Sequence, residues 1–121
     1  MTSIFDQSVS EAIANMDKEI IKGVEFEAGL TLQFIAVEKK KGGQFGAAED
    51  SSIVERGVLE EGEQFLYTFK DEDGFTRKLY STSFPFCIEM EHAELAPETW
   101  IKITRTGKLK ETKYEIVKTE V

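Results

Sequence analysis

"WIKITRTGKLKETKYEIV", residues 100–117, alternates, turns at a glycine and alternates again. Ile101 and Ile103 face one way, and Trp100, Lys102 and Thr104 the other. "TGKLKET" is the turn and "KYEIVK" the returning strand. Period-two alternation on both sides of a Gly-bearing turn predicts an antiparallel hairpin. The hairpin is also basic. Residues 101–121 carry six Lys or Arg and three Glu, net +3, and the other 100 residues sum to −11, within a formal charge of −8. Positive charge on the closing hairpin of an acidic chain calls for a reason.

Upstream, "QFLYTFKDEDGFTRKLYSTSF", residues 64–84, is a second hairpin signal. Phe65, Tyr67 and Phe69 share one face, Leu66, Thr68 and Lys70 the other, and Asp73-Gly74 is the turn. "GLTLQFIAVEKKK", residues 29–41, reads as a long strand in which Leu30, Leu32, Phe34 and Ala36 alternate with Thr31, Gln33, Ile35 and Val37. With both faces fairly apolar, that strand is expected to be central. "KGGQFGAAEDSSIVERG" then marks a long loop, and "IVERGVLEEGEQ" a short strand or turn. In "PFCIEMEHAELAPET", Pro85 stops the preceding strand, "IEMEHAEL" predicts one or two helical turns, and Pro97 ends them. "SVSEAIANMDKEIIKG", residues 8–23, predicts a helix with capping-box spacing from Ser8 to Glu11 and an apolar stripe of Ile13, Met16, Ile20 and Ile21.

A long strand, a long loop, a two-strand meander, a helical interruption and a final hairpin give five strands with a helix between the third and fourth. That is the order of an OB-fold, a small partly open Greek-key barrel, although the pattern alone also admits other small barrels. The expectation is an all-β chain: one domain over 1–121, with an N-terminal helical appendage at 1–23 and the barrel at 24–119. The appendage's apolar stripe must bury somewhere, and a homodimer contact is one outlet.

The phrases "GLTLQFIAVEKKK", "FLYTFKDEDGFTRKLYSTS" and above all "LAPETWIKITRTGKLKETKYEIV" resemble the small single-stranded DNA-binding proteins with OB-folds, most of all the compact bacteriophage-type members. Pro-x-x-Trp-Ile-x-Ile, then Arg-Thr-Gly-Lys, then Thr-x-Tyr-x-Ile looks like the fourth and fifth strands of such barrels. The likeness covers roughly residues 28 to 118. It implies binding of single-stranded DNA without strong sequence preference, in replication or recombination beside proteins of those processes. Many members end in an acidic tail that recruits partners; this chain ends "IVKTEV" and departs from them there.

Binding a single strand needs Lys and Arg along the phosphates and aromatic faces on the bases. The expected phosphate contacts are Lys39, Lys40 and Lys41 at the end of the first strand, Arg77 and Lys78 in the middle hairpin, and Lys102, Arg105, Lys108 and Lys110 in the last. The expected stacking residues are Phe45, Tyr80 and Trp100. Bland alternatives stand beside these. The hairpin lysines can simply guard an edge strand. Trp100 can cover a barrel end. Tyr67 and Tyr114 share faces with apolar residues and are expected in the core. A second class of reading rests on the nine acids between residues 45 and 73, which would suit an acidic protein-interaction module or a mimic of DNA.

Enzyme chemistry finds no constellation. His92 is the lone histidine, in the acidic setting "MEHAEL". No His/Cys cluster has zinc spacing, "DEDG" lacks the spacing of a calcium loop, and "GGQFGAAED" lacks the Gly-Lys-Ser/Thr ending of a phosphate loop. No cofactor is expected. Cys87, the only cysteine, lies in apolar "FPFCIEM" and reads as an inert buried thiol. No apolar run approaches a membrane span. "MTSIFDQSVSEAI" lacks the pattern of a signal peptide. A cytoplasmic protein is the expectation.

Overall fold

The computed structural model describes residues 19–42, 46–107 and 111–120. A 3-10 turn at Gly23–Phe26 leads into β1 (Leu30–Lys41). The helical turn α1 (Ser52–Glu55) follows, then β2 (Glu63–Lys70), β3 (Thr76–Ser81), helix α2 (Phe84–His92), β4 (Trp100–Thr106) and β5 (Lys113–Lys118). The strands form one antiparallel sheet in the order β3-β2-β1-β4-β5. Both hairpins and the central position of β1 match the alternation in the sequence.

β1 serves two partners in succession. Leu30 to Gln33 pair with β4, from Ile103 to Trp100, and Gln33 to Lys41 pair with β2, from Lys70 to Glu63. Between Phe34 and Ala36 the register shifts, leaving Ile35 as the extra residue of a bulge. A bulge bends a strand and raises its twist, which lets β1 leave one partner and follow the other. It also inverts the alternation. Leu32 and Phe34 face the core, but beyond the bulge it is Val37, opposite Tyr67, that lies on the core side, while Ala36 lies opposite Thr68 on the other. Simple alternation had put Ala36 with Leu32 and Phe34.

The turns follow local chemistry. In the β2–β3 hairpin, Asp71 Oδ1 accepts from the N–H groups of both Asp73 and Phe75, and Gly74 takes φ 86°. Helix α2 starts earlier than "IEMEHAEL" suggested. Ser83 caps it by accepting from Phe86 N–H, and Pro85 sits in the first turn, where its missing donor costs nothing. Pro85 therefore opens the helix, and β3 already ends at Ser81, before it. The stretch read as a short strand or turn holds α1, whose Ile53 packs with Ala47 and Leu59 in a small satellite core.

The main core joins every strand, α2 and the 3-10 turn. Its centre is Phe86, only 1% exposed. The Phe86 ring centroid lies 5.0 Å from Tyr67, 5.0 Å from Tyr114 and 6.1 Å from Phe26. Tyr67 and Tyr114 thus take the core positions expected of them.

Closure into a barrel is not found: among the described residues no ladder joins β3 to β5. The physical reason is that another segment lies in between. Ile20 makes a parallel bridge with Lys78 on the outer edge of β3, and Ile21 N–H donates to Lys78 O at 2.8 Å. From there the chain crosses toward β4 and β5. Phe26, 2% exposed, is inserted beside Phe86 and Tyr114, and Glu27 reaches Arg105. The helix expected at 8–23 lies mostly outside the described residues. Its described end and the following turn fill the sheet's opening and are part of the core.

Two outcomes test this closure. Phe26→Ala should lose about 3–5 kcal/mol of stability, read by denaturant unfolding. The second concerns Glu25, which grips Arg77. Burial pushes the Glu25 carboxyl up, but the Arg77 hydrogen bonds, the Lys22 N–H and the nearby cations outweigh it and hold it below its ordinary value of 4.5. A lowered carboxylate stabilises the fold above its unfolded pKa, and that contribution is lost as pH falls through its folded one. Stability should therefore drop from pH 4.5 downward, and Glu25→Gln should flatten that drop while weakening the protein at neutral pH.

Candidate nucleic-acid interface

Pairing and alternation fix which side chains share the sheet's outer face, away from Phe86. On β3 and β2 these are Lys78, Tyr80, Gln64, Leu66, Thr68 and Lys70. On β1 they are Thr31, Gln33, Ala36, Glu38 and Lys40, and on β4 Trp100, Lys102 and Thr104. Cross-strand rows then read Glu38–Leu66–Tyr80, Ala36–Thr68–Lys78 and Trp100–Gln33–Lys70.

Two aromatic centres result. Tyr80 is 41% exposed and borders an open basin of about 670 Å3 shared with Ile20, Ile21, Gln64 and Thr82. Lys78 stands one row away and is paired with Glu19 at 3.1 Å, which raises its ammonium above the ordinary lysine value. Lys40 lies on the same face, 3.4 Å from Glu38. At the other end, half-buried Trp100 is next to Gln33, whose amide donates to Glu98 O at 3.1 Å. Lys102 lies over Gly29, where φ is 85° and a Cβ would strike the lysine chain. Among the described residues, Lys70 and Lys102 have no ion-pair partner. The two aromatic centres are four β2 positions and three strands apart, roughly 20 Å.

The sequence-level set divides. Lys40, Lys78, Tyr80, Trp100 and Lys102 share the outer face. Lys39 and Lys41 project to the opposite side of β1, and Lys41 meets Glu60 at 3.7 Å. Arg77 is not a surface cation. It is 7% exposed, faces the core side opposite Phe69, and donates through one nitrogen to both Glu25 oxygens at 2.8 and 2.9 Å. Its Nε is buried without a partner. Arg105 likewise pairs across with Tyr114 and donates to Glu27 at 3.0 Å; that bond raises its pKa further. Both arginines tie the closing segment to the sheet. Phe45, Lys108 and Lys110 lie outside the described residues. Lys70 was missed as a site residue, although its alternation with Leu66 and Thr68 already gave its face.

No family model, curated protein or solved structure was found to match the chain. Among the described residues, no cluster of three or more His, Cys, Asp or Glu could hold a metal ion, and no helix is long and apolar enough to cross a membrane.

Two further perturbed groups, Tyr67 and Cys87, lie on the other side of the sheet. Burial, and then Cys87 beside it, push the Tyr67 phenol up. Burial also raises the Cys87 thiol; the Tyr67 hydroxyl, which donates to the sulfur, and Lys39 only partly offset that, and Glu91 adds to it. A thiol held protonated is a poor nucleophile. At neutral pH a disulfide reagent should modify native Cys87 more slowly than the unfolded chain. Tyr67→Phe should slow it further, because the thiolate loses its donor. Equal native and unfolded rates would mean an accessible, ordinary thiol.

Proposed function

We propose that this protein is an OB-fold domain that binds single-stranded DNA without strong sequence preference, and that the outer sheet face is its binding surface. The carrying observation is that one continuous face presents exposed Tyr80 and half-buried Trp100 together with Lys40, Lys70, Lys78 and Lys102. Aromatic platforms set among cations are what a single strand needs. The fold reading is supported by the strand order, by β1 shared between two partners through a bulge, and by a helix between β3 and β4. In such folds the face around strands two and three is the usual ligand surface. Small Ala36 and Thr68 in the intervening row leave a path between the two centres.

The charge balance sets the character of binding. Glu19 and Glu38 already neutralise Lys78 and Lys40, and the chain carries −8 overall. Phosphates must compete with those carboxylates, so affinity is modest and stacking carries a large share. Replication and recombination are the processes that expose such strands.

A fluorescence titration tests this, with Trp100, the lone tryptophan, as reporter. A short oligothymidylate should quench it saturably, the matching duplex should not, and salt should weaken binding. Tyr80→Ala should cost about 1–3 kcal/mol of affinity. Lys70→Ala and Lys102→Ala should each reduce the salt slope by about one contact. Affinity no better than that of an unrelated acidic protein would sink the reading.

A further inference from the structure

Behind the sheet, β1 and β2 face α2 across a cleft of about 360 Å3. Its walls are Phe34, Val37, Phe65, Tyr67, Met90 and Leu95. An apolar cleft of that size with a few polar groups at its border is the usual form of a recognition site. Val37 is 47% exposed, an unusual state for a large apolar side chain on the core side of a central strand.

The cleft opens beside a free strand edge. β4 leaves β1 at Gln33, and the last backbone bonds on that side join Phe34 to Thr99 and Glu98, at 2.8 and 2.7 Å. From Ile35 to Lys41 only β2 lies beside β1 among the described residues. Unpaired N–H and C=O groups along an edge are a template for an added strand. The next side chain inward from that edge would enter the cleft at Val37.

Charge gives the groove a direction. At one end, Lys39 stands opposite Phe65, and Lys41 follows on the same side of β1. At the other end, beside Phe34 and Leu95, stand Glu91 and Glu94. A second copy of this chain suits the groove poorly. Paired antiparallel about Lys39, it would set Lys39 against Lys39 and Lys41 against Val37.

We propose that the free edge of β1 and the adjoining cleft bind an extended peptide from a partner protein as an added antiparallel strand. Its order is acidic, then apolar, then basic from the N-terminus. The acidic residue meets the Lys39 end, the apolar side chain fills the cleft at Val37, and the basic residue reaches Glu91 and Glu94. Backbone pairing supplies affinity, and the cleft and the two charged ends supply specificity. This surface lies on the opposite side of β1 from Tyr80 and Trp100 and is independent of strand binding there.

The probe is the fluorescein-labelled heptapeptide Thr-Glu-Thr-Leu-Thr-Lys-Thr, read by anisotropy against the full chain. Saturable binding is expected. Three altered peptides should each bind at least about tenfold more weakly: Leu replaced by Ser, Glu and Lys exchanged, and the amides flanking Leu N-methylated. Val37→Glu, at an exposed position that leaves the circular dichroism unchanged, should weaken the parent peptide to the same degree. The double variant Glu91→Lys, Glu94→Lys should narrow the preference for the parent order. The proposal is overturned by absent saturable binding, by equal affinity for both charge orders, or by a Val37→Glu protein that binds as before. It is equally overturned if the free protein sediments as a dimer that Val37→Glu dissolves, since a second copy would then hold the edge.

Discussion

An antiparallel sheet coiled around one core ends in two edges, and each leaves backbone groups and apolar side chains to be covered. Here those edges belong to β3 and β5, and they do not meet. The chain from Ile20 to Glu27 covers the opening. It pairs with β3 at Lys78, grips Arg77 with Glu25, wedges Phe26 against Phe86 and Tyr114, and holds Arg105 with Glu27. Each of these contacts joins residues at least fifty positions apart. The sheet's curvature, the seat of α2 and the burial of the aromatic centre all presuppose that wedge.

Much of this architecture was legible. Period-two alternation gave five strands, Asp73-Gly74 gave a turn, and the apolar faces of both hairpins gave Tyr67, Phe69, Ile101 and Ile103 as core. What could not be read was what depends on distant partners. Nothing local in "KGVEF" announces a wedge, because its phenylalanine finds its ring partners on α2 and β5. Arg77 looked like a surface cation because nothing near it in the sequence announces Glu25, the carboxylate that holds it on the core side. Pro85 read as a stop because proline halts strands and opens helices with the same fixed φ.

The site shows the same division. Face membership follows from pairing, so Lys78, Tyr80, Trp100 and Lys102 were readable together once the strands were. Charge state is another matter. Glu19 and Glu38 draw lysines into pairs that residue counting cannot anticipate, and Arg77 and Arg105 are taken up by Glu25 and Glu27. The basic character of the last hairpin thus has two sources, one facing solvent at Lys102 and one holding the closing segment at Arg105. The groove behind β1 went unnoticed because a free edge is visible only when the end of a neighbour is known.

The bulge at Ile35 acts as a parity switch. On an unbroken strand Leu32, Phe34, Glu38 and Lys40 would all point inward, and Lys39 and Lys41 outward. One additional residue reverses this for everything downstream: a carboxylate and a single lysine go to the Tyr80 face, and two lysines go behind it. The composition of either surface is therefore governed by chain length at one position as much as by the side chains themselves. Removing or adding a single residue there would trade the chemistry of the two sides of β1 without substituting any amino acid in it.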